Sequence, residues 1–152
     1  MELNNSKCLV IGGAGFIGSF VVSELLKQNV QEVVVYDNLA RGKKEYLEES
    51  LKDPRCIFFP IGGDIRETDI LNDAMNGKDY VFCLAAMWLL HCKDYPRTAF
   101  EVNIAGTFNV LEACVKNKIK KHEIKQIAGC IDSSGSSFPC WCGSRQLRSI
   151  PA

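Results

Sequence analysis

Three glycines spaced three apart, Gly12, Gly15 and Gly18, follow directly on the apolar run Cys8-Leu9-Val10-Ile11 and open a segment with helical spacing. That order of residue types suits the binding of a diphosphate. Gly12 and Gly13 permit a tight turn, Gly15 lets the backbone come close to a ligand, and Gly18 lets the new helix pack against the strand. The first N–H groups of such a helix, at its positive dipole end, face the anion. A carboxylate, Asp37, closes a second apolar run, Glu32-Val33-Val34-Val35-Tyr36. It lies about 20 residues beyond the last glycine, the distance at which such a unit places a ribose acceptor.

The elements that must position these residues are legible along the chain. The pattern predicts a strand over 7–12 and a helix over 15–29 with Ile17, Val21 and Leu25 on one face. A second strand covers 32–37, and a helical segment then carries Tyr46, Leu47 and Leu51 until Asp53-Pro54 breaks it. A third strand spans 55–61. A short helix follows, capped by Thr68 or Asp69 and stopped by Gly77. A fourth strand is predicted over 80–86, and a long helix after Pro96 runs to Lys118, burying Val102, Gly106, Val110 and Ala113. A fifth strand falls within 124–131. Near-continuous apolar strands indicate a sheet covered on both faces, and strands separated by helices indicate parallel pairing. The prediction is therefore an α/β fold, a doubly wound parallel sheet. Residues 1–131 form one incomplete dinucleotide-binding domain, and the serine-, glycine- and cysteine-rich residues 132–152 are expected to be a disordered tail.

Composition narrows the partners. Eighteen basic residues balance eighteen acidic ones, which gives no support to a nucleic-acid or anionic-membrane partner. The polar amino terminus has no signal-like apolar core, and no apolar run reaches the roughly 20 residues needed to span a bilayer. A cytoplasmic location is the expectation. Of eight cysteines, Cys8, Cys56 and Cys83 fall in predicted strands and Cys114 in a helix, where they read as small hydrophobes. Cys130, Cys140 and Cys142 lack the spacing of a four-ligand metal site, so no metal is expected. The lysines at 116, 118, 120, 121 and 125 read as a solvated helix end or as an anion-binding patch.

With these motifs in view, the chain resembles the amino-terminal part of an extended short-chain dehydrogenase/reductase. More narrowly, it is similar to the NAD-dependent epimerase/dehydratase family that acts on nucleotide sugars. The resemblance covers residues 6–121 and rests on five motifs in order: Gly12, Gly15 and Gly18 with Phe16-Ile17; Tyr36-Asp37-Asn38-Leu39; Gly63-Asp64-Ile65-Arg66; Leu84-Ala85-Ala86; and Asn103 within Val102-Asn103-Ile104-Ala105-Gly106-Thr107. It implies a Rossmann fold, NAD as cofactor, a nucleotide-sugar substrate and a homodimer formed through helices like 97–118. Asp37 and Asn38 would meet the ribose, Asp64 and Ile65 the adenine, Leu84-Ala85-Ala86 would line the cofactor, and Asn103 would support the site. Asp37 favours NAD over NADP, although Arg41 stands nearby. Asp64 reads equally as a turn or helix-capping aspartate. Trp88 and His91 face a substrate or pack the loop.

Family members oxidise a sugar hydroxyl with a tyrosine base, in the pattern Tyr-x-x-x-Lys. The last tyrosine of this sequence is Tyr95, ahead of the long helix, so that motif is absent. Within Ser133-Ser134-Gly135-Ser136, Ser134 would be the substrate-orienting serine, or else part of a flexible serine-rich stretch. The expectation is a truncated relative, diverging after about residue 121, that binds cofactor without completing the reaction. The alternative is a non-catalytic NAD-binding module, a redox sensor or partner subunit.

Overall fold

Two half-cores, one on each face of a five-stranded parallel sheet, organise the computed structural model, which describes residues 3–124 and, over 121–124, the backbone. The strands are β1 (Lys7–Ile11), β2 (Glu32–Tyr36), β3 (Cys56–Phe58), β4 (Tyr80–Cys83) and β5 (Lys121–Ile124), in the spatial order β3-β2-β1-β4-β5. Side chains alternate across a strand, so β1 sends Cys8 and Val10 to one face and Leu9 and Ile11 to the other; all four are fully buried. β2 does the same with Val33 and Val35 against Val34 and Tyr36. This explains why both strands read as unbroken apolar runs.

Helix α1 (Phe16–Leu26) covers the first face with Val22 and Leu25, joined by Leu47. On the second face α2 (Thr68–Met75) contributes Leu71, Ala74 and Met75, and α5 (Thr107–Lys116) contributes Val110, Ala113 and Cys114. Each large apolar side chain so buried stabilises the fold by about 1.5–3 kcal/mol. Helices α3 (Leu89–Asp94) and α4 (Pro96–Phe100) precede α5.

Several predicted elements differ in detail. Helix α1 buries Gly18, Ser19, Val22 and Leu25, with Val21 partly buried against the same core, whereas Ile17 is exposed; Gly18 must lie against Gly12, which turns Ile17 outward. The segment carrying Tyr46, Leu47 and Leu51 is two single 3₁₀ turns, Lys44–Leu47 and Ser50–Lys52, with Leu47 alone fully buried. β3 is three residues long, and β4 stops at Cys83. The residue capping α2 is Glu67, with no side-chain cap from Thr68 or Asp69. The long helix after Pro96 is interrupted by a π turn, Glu101–Gly106, and ends at Lys116, with Val102 only partly buried. The fifth strand begins at Lys121, because Tyr80 to Cys83 pair in register with Lys121 to Ile124. Part of the lysine run thus enters the sheet rather than ending a helix. The expected strand beyond Ile124, Ser134, Cys130, Cys140, Cys142 and the tail over 132–152 lie outside the described residues.

Candidate functional site

All the motifs gather at the carboxyl edge of the sheet, beside β1, where the chain order reverses: the crossover from β1 leads to β2 on one side, and that from β3 returns to β4 on the other. In open α/β sheets this is where ligands bind. Gly12 turns the chain with φ +77, a left-handed conformation natural to glycine. It also lies so close to the β4 exit that a Cβ there would stand 2.7 Å from the Ala85 nitrogen. Gly15 is the N-cap of α1, and a Cβ on it would meet only the Gly12 oxygen, at 3.2 Å. Among the described residues no side chain caps this helix or competes for its leading N–H groups. Phe16 and Ile17, in the first turn, turn their side chains towards solvent.

Asp37 is 8% exposed and carries two loops at once. Its Oδ2 accepts the Ala14 N–H at 2.9 Å and its Oδ1 accepts the Leu39 N–H at 2.8 Å. A carboxylate has about four acceptor positions, so two remain for hydroxyl donors. Leu39 sits at φ +58, and the neighbouring Ala40 N–H is accepted by Asn38 Oδ1 at 3.0 Å. Side-chain oxygens thus hold a turn that an L-residue adopts at some cost.

The β3 exit rests directly on this turn. A Cβ on Gly63 (φ +126) would fall 2.2 Å from the Asp37 carbonyl carbon. The fully buried Tyr36 donates its hydroxyl to the Asp64 carbonyl at 2.9 Å, and burial pushes its pKa up to about 12. Tyr36 is therefore held as a neutral donor, not a base. The Asp64 carboxylate is engaged by Arg66, whose backbone N–H and guanidinium both donate to it, and these bonds hold its pKa below the usual range. The turn-aspartate arrangement is what the geometry displays for Asp64. Its neighbour Ile65 buries its side chain against Gly106 and offers its carbonyl to Asn109.

On the β4 side, Leu84 donates its N–H to the Ile11 carbonyl, carrying the chain past Gly12; Ala85 and Ala86 follow, half-buried. Asn103, in the π turn, engages both main-chain groups of Met87: Oδ1 accepts the Met87 N–H at 2.7 Å and Nδ2 donates to the Met87 carbonyl at 3.0 Å. Asn103 fixes the path of the segment that follows β4. Trp88 stacks on Arg41, with the guanidinium carbon 4.5 Å from the ring centroid, and its edge meets His91.

The motifs did not reveal the bracing of Ala14 by Asp37, the seat of Gly63 on Asp37, or the Arg41–Trp88 contact. Each joins residues far apart in the chain, and only the strand order brings them together. Elsewhere, a groove of about 670 Å³ between α2 and α5 shares no residue with this site. Among the described residues no group of histidine, cysteine, aspartate or glutamate could hold a metal ion, and no helix is long and apolar enough to cross a membrane.

Comparison with known proteins agrees with this geometry. The model of the 3-beta hydroxysteroid dehydrogenase/isomerase family matches residues 9–122. A UDP-glucose 4-epimerase of Rickettsia bellii is 36% identical over 118 residues, covering 74% of this chain and 34% of that protein. The chain thus spans about a third of the length of the curated relatives it matches. The Bordetella bronchiseptica enzyme WbmF, solved with NAD+ and also with NAD+ and UDP, superposes in its NAD+ complex with a TM-score of 0.71 at 29% identity over 82% of this chain and 37% of its own. DesIV of Streptomyces venezuelae, a dTDP-glucose 4,6-dehydratase solved with NAD and TYD, gives a TM-score of 0.71 at 32% identity over 76% of this chain and 38% of its own. On the glycine loop, the strand order and these matches, the chain belongs to the 3-beta hydroxysteroid dehydrogenase/isomerase family, and its described part has the Rossmann-like fold of the amino-terminal region of NAD-dependent epimerases and dehydratases of the extended short-chain dehydrogenase/reductase kind.

Proposed function

We propose that this chain is the NAD-binding portion of a nucleotide-sugar epimerase or dehydratase. The observation that carries the reading is the uncapped start of α1 behind the glycine turn, with the Asp37 carboxylate bonded to that same loop through Ala14. The leading N–H groups of α1 would receive the diphosphate, and the open side of Gly15 leaves room for it. The free acceptor positions of Asp37 would take the adenosine ribose hydroxyls, with Asn38 beside them; Asp64 and Ile65 would border the adenine. Leu84, Ala85 and Ala86, held in place by Asn103 through Met87, would line the nicotinamide half. Bound there, NAD supplies a hydride acceptor for a sugar carbinol.

Tyr36 is held at a pKa of about 12, and no tyrosine of the sequence follows Tyr95, so the family's Tyr-x-x-x-Lys pattern is not among its residues. That absence supports cofactor binding without sugar turnover by this chain. This also supports a second reading, a non-catalytic NAD-binding module. Isothermal titration with NAD and NADH, beside an assay of UDP-glucose and dTDP-glucose turnover, tests both. Binding without turnover is expected, turnover would overturn catalytic incompleteness, and folded protein that takes up no NAD would overturn the cofactor reading.

The same kinship suggests a homodimer through the helices of 96–116. Phe100, Ile104 and Phe108 recur every fourth residue there, and all are more than half exposed. Exposed apolar residues at this spacing support an interaction surface. Light scattering should give a dimer mass that Phe108→Glu reduces to a monomer; a monomeric unaltered chain would overturn it.

A further inference from the structure

We propose that Trp88 is a specificity-determining residue that selects NAD over NADP by holding Arg41 away from the ribose 2′ position. This rests on the reading of Asp37 as the ribose acceptor. Arg41 follows β2 and Trp88 follows β4, so their contact bridges the carboxyl edge of β1, the strand between them. The guanidinium carbon lies 4.5 Å from the indole centroid. The indole in turn is fixed by the His91 ring at its edge, 5.2 Å between centroids, and His91 by Tyr95 at 6.4 Å.

The backbone places Arg41 close to Asp37. Gly42, the next residue, sits so near that a Cβ on it would lie 2.8 Å from Asp37 Oδ1, and the Lys43 N–H donates to the Ala14 carbonyl. Adjacent Cα atoms are about 3.8 Å apart, so an arginine side chain anchored at residue 41 can reach the surroundings of the Asp37 carboxylate. Yet among the described residues Arg41 makes no ion pair with Asp37 or with any other acid. Its charge is spent on the indole face instead. An arginine beside the ribose is what accommodates a 2′-phosphate in such sites, whereas a lone carboxylate repels it. With Arg41 stacked on Trp88, the 2′ position is left to the carboxylate alone. Freed from the indole, the same arginine would offer a 2′-phosphate a bidentate partner.

Calorimetric titration of NAD and NADP into the unaltered chain, Trp88→Leu, Trp88→Phe, Arg41→Ala and the Trp88→Leu/Arg41→Ala double variant tests this. A contact of this kind shifts a population by about 2- to 30-fold. Trp88→Leu should therefore raise NADP affinity relative to NAD about tenfold, Trp88→Phe should change the ratio little, and the double variant should return to the ratio of Arg41→Ala. An unchanged ratio in Trp88→Leu, or a gain that survives loss of Arg41, would overturn the proposal while leaving NAD binding intact. Failure of the unaltered, folded chain to bind NAD would overturn the ribose reading and this proposal together.

Discussion

Gly18 and Gly12 are in direct backbone contact: a methyl group on Gly18 would stand 2.1 Å from the Gly12 carbonyl oxygen. No flexible side chain can yield there, because the obstructing atoms belong to the main chain of the glycine turn.

Gly18→Ala should therefore lower stability by about 3 kcal/mol or more, beyond the usual cost of an overpacked core. Gly15→Ala meets only one atom, at 3.2 Å, and should fold nearly as well as the unaltered chain while losing NAD affinity. Urea denaturation with NAD titration separates the two. Equal destabilisation by both substitutions would contradict the assigned division between packing and ligand approach.

Asp37→Asn tests the double duty of that carboxylate. An amide offers one acceptor oxygen, so either the Ala14 or the Leu39 N–H loses its partner, at a cost of about 1–3 kcal/mol. The expected result is a lower melting temperature together with a weaker preference for NAD over NADP. A preference left unchanged would count against the ribose role while sparing the structural one.

Asn103→Leu leaves the Met87 N–H without its side-chain partner, at about 1–3 kcal/mol, and its carbonyl with the Cys92 thiol as its remaining side-chain donor. The effect should fall on the 84–92 segment: Trp88 emission should shift and NAD affinity should drop, with helical circular dichroism preserved. An unperturbed Trp88 signal would show that the path of this segment is fixed by something else.

Asp79 joins three strands at the opposite edge of the sheet. Its carboxylate accepts the Lys7 N–H at 2.9 Å and pairs with Lys120 at 2.7 Å, and these partners, Lys120 foremost, hold its pKa below the usual range. A carboxyl whose pKa is lower in the folded state stabilises the fold above its unfolded value of about 3.9, and that contribution disappears as pH falls through the folded value. Asp79→Asn should lower the urea midpoint at neutral pH, by an amount corresponding to about 1 kcal/mol, and should converge with the unaltered chain under strongly acidic conditions. Parallel curves at all pH values would refute the linkage.

The sheet was legible because burial on both faces writes itself into sequence as unbroken apolar runs. The glycine turn and the place of Asp37 beside it are legible because both depend on local geometry within one crossover. What escaped depended on distant partners. Ile17 looked like a core position until Gly18 claimed the contact with Gly12, and Leu51 had the spacing of a helix that short connections reduced to single turns. The fifth strand starts earlier than the sequence predicts because Lys121, His122 and Glu123 carry no apolar signal; pairing with Tyr80 to Cys83 fixes it instead. Asp64, open between two readings in sequence, is committed to Arg66 by a bond formed two residues away.

Four thiols sit in four separate elements: Cys8 in β1, Cys56 in β3, Cys83 in β4 and Cys114 in α5, all buried. Burial pushes the last three up to a pKa of about 11 and raises that of Cys8 as well, so none offers a ready thiolate near neutral pH. The molecule thereby carries its own clock of local opening. An alkylating reagent can mark each of these sites only when its layer breathes, and the order in which they are labelled would rank the elements by how often they come apart.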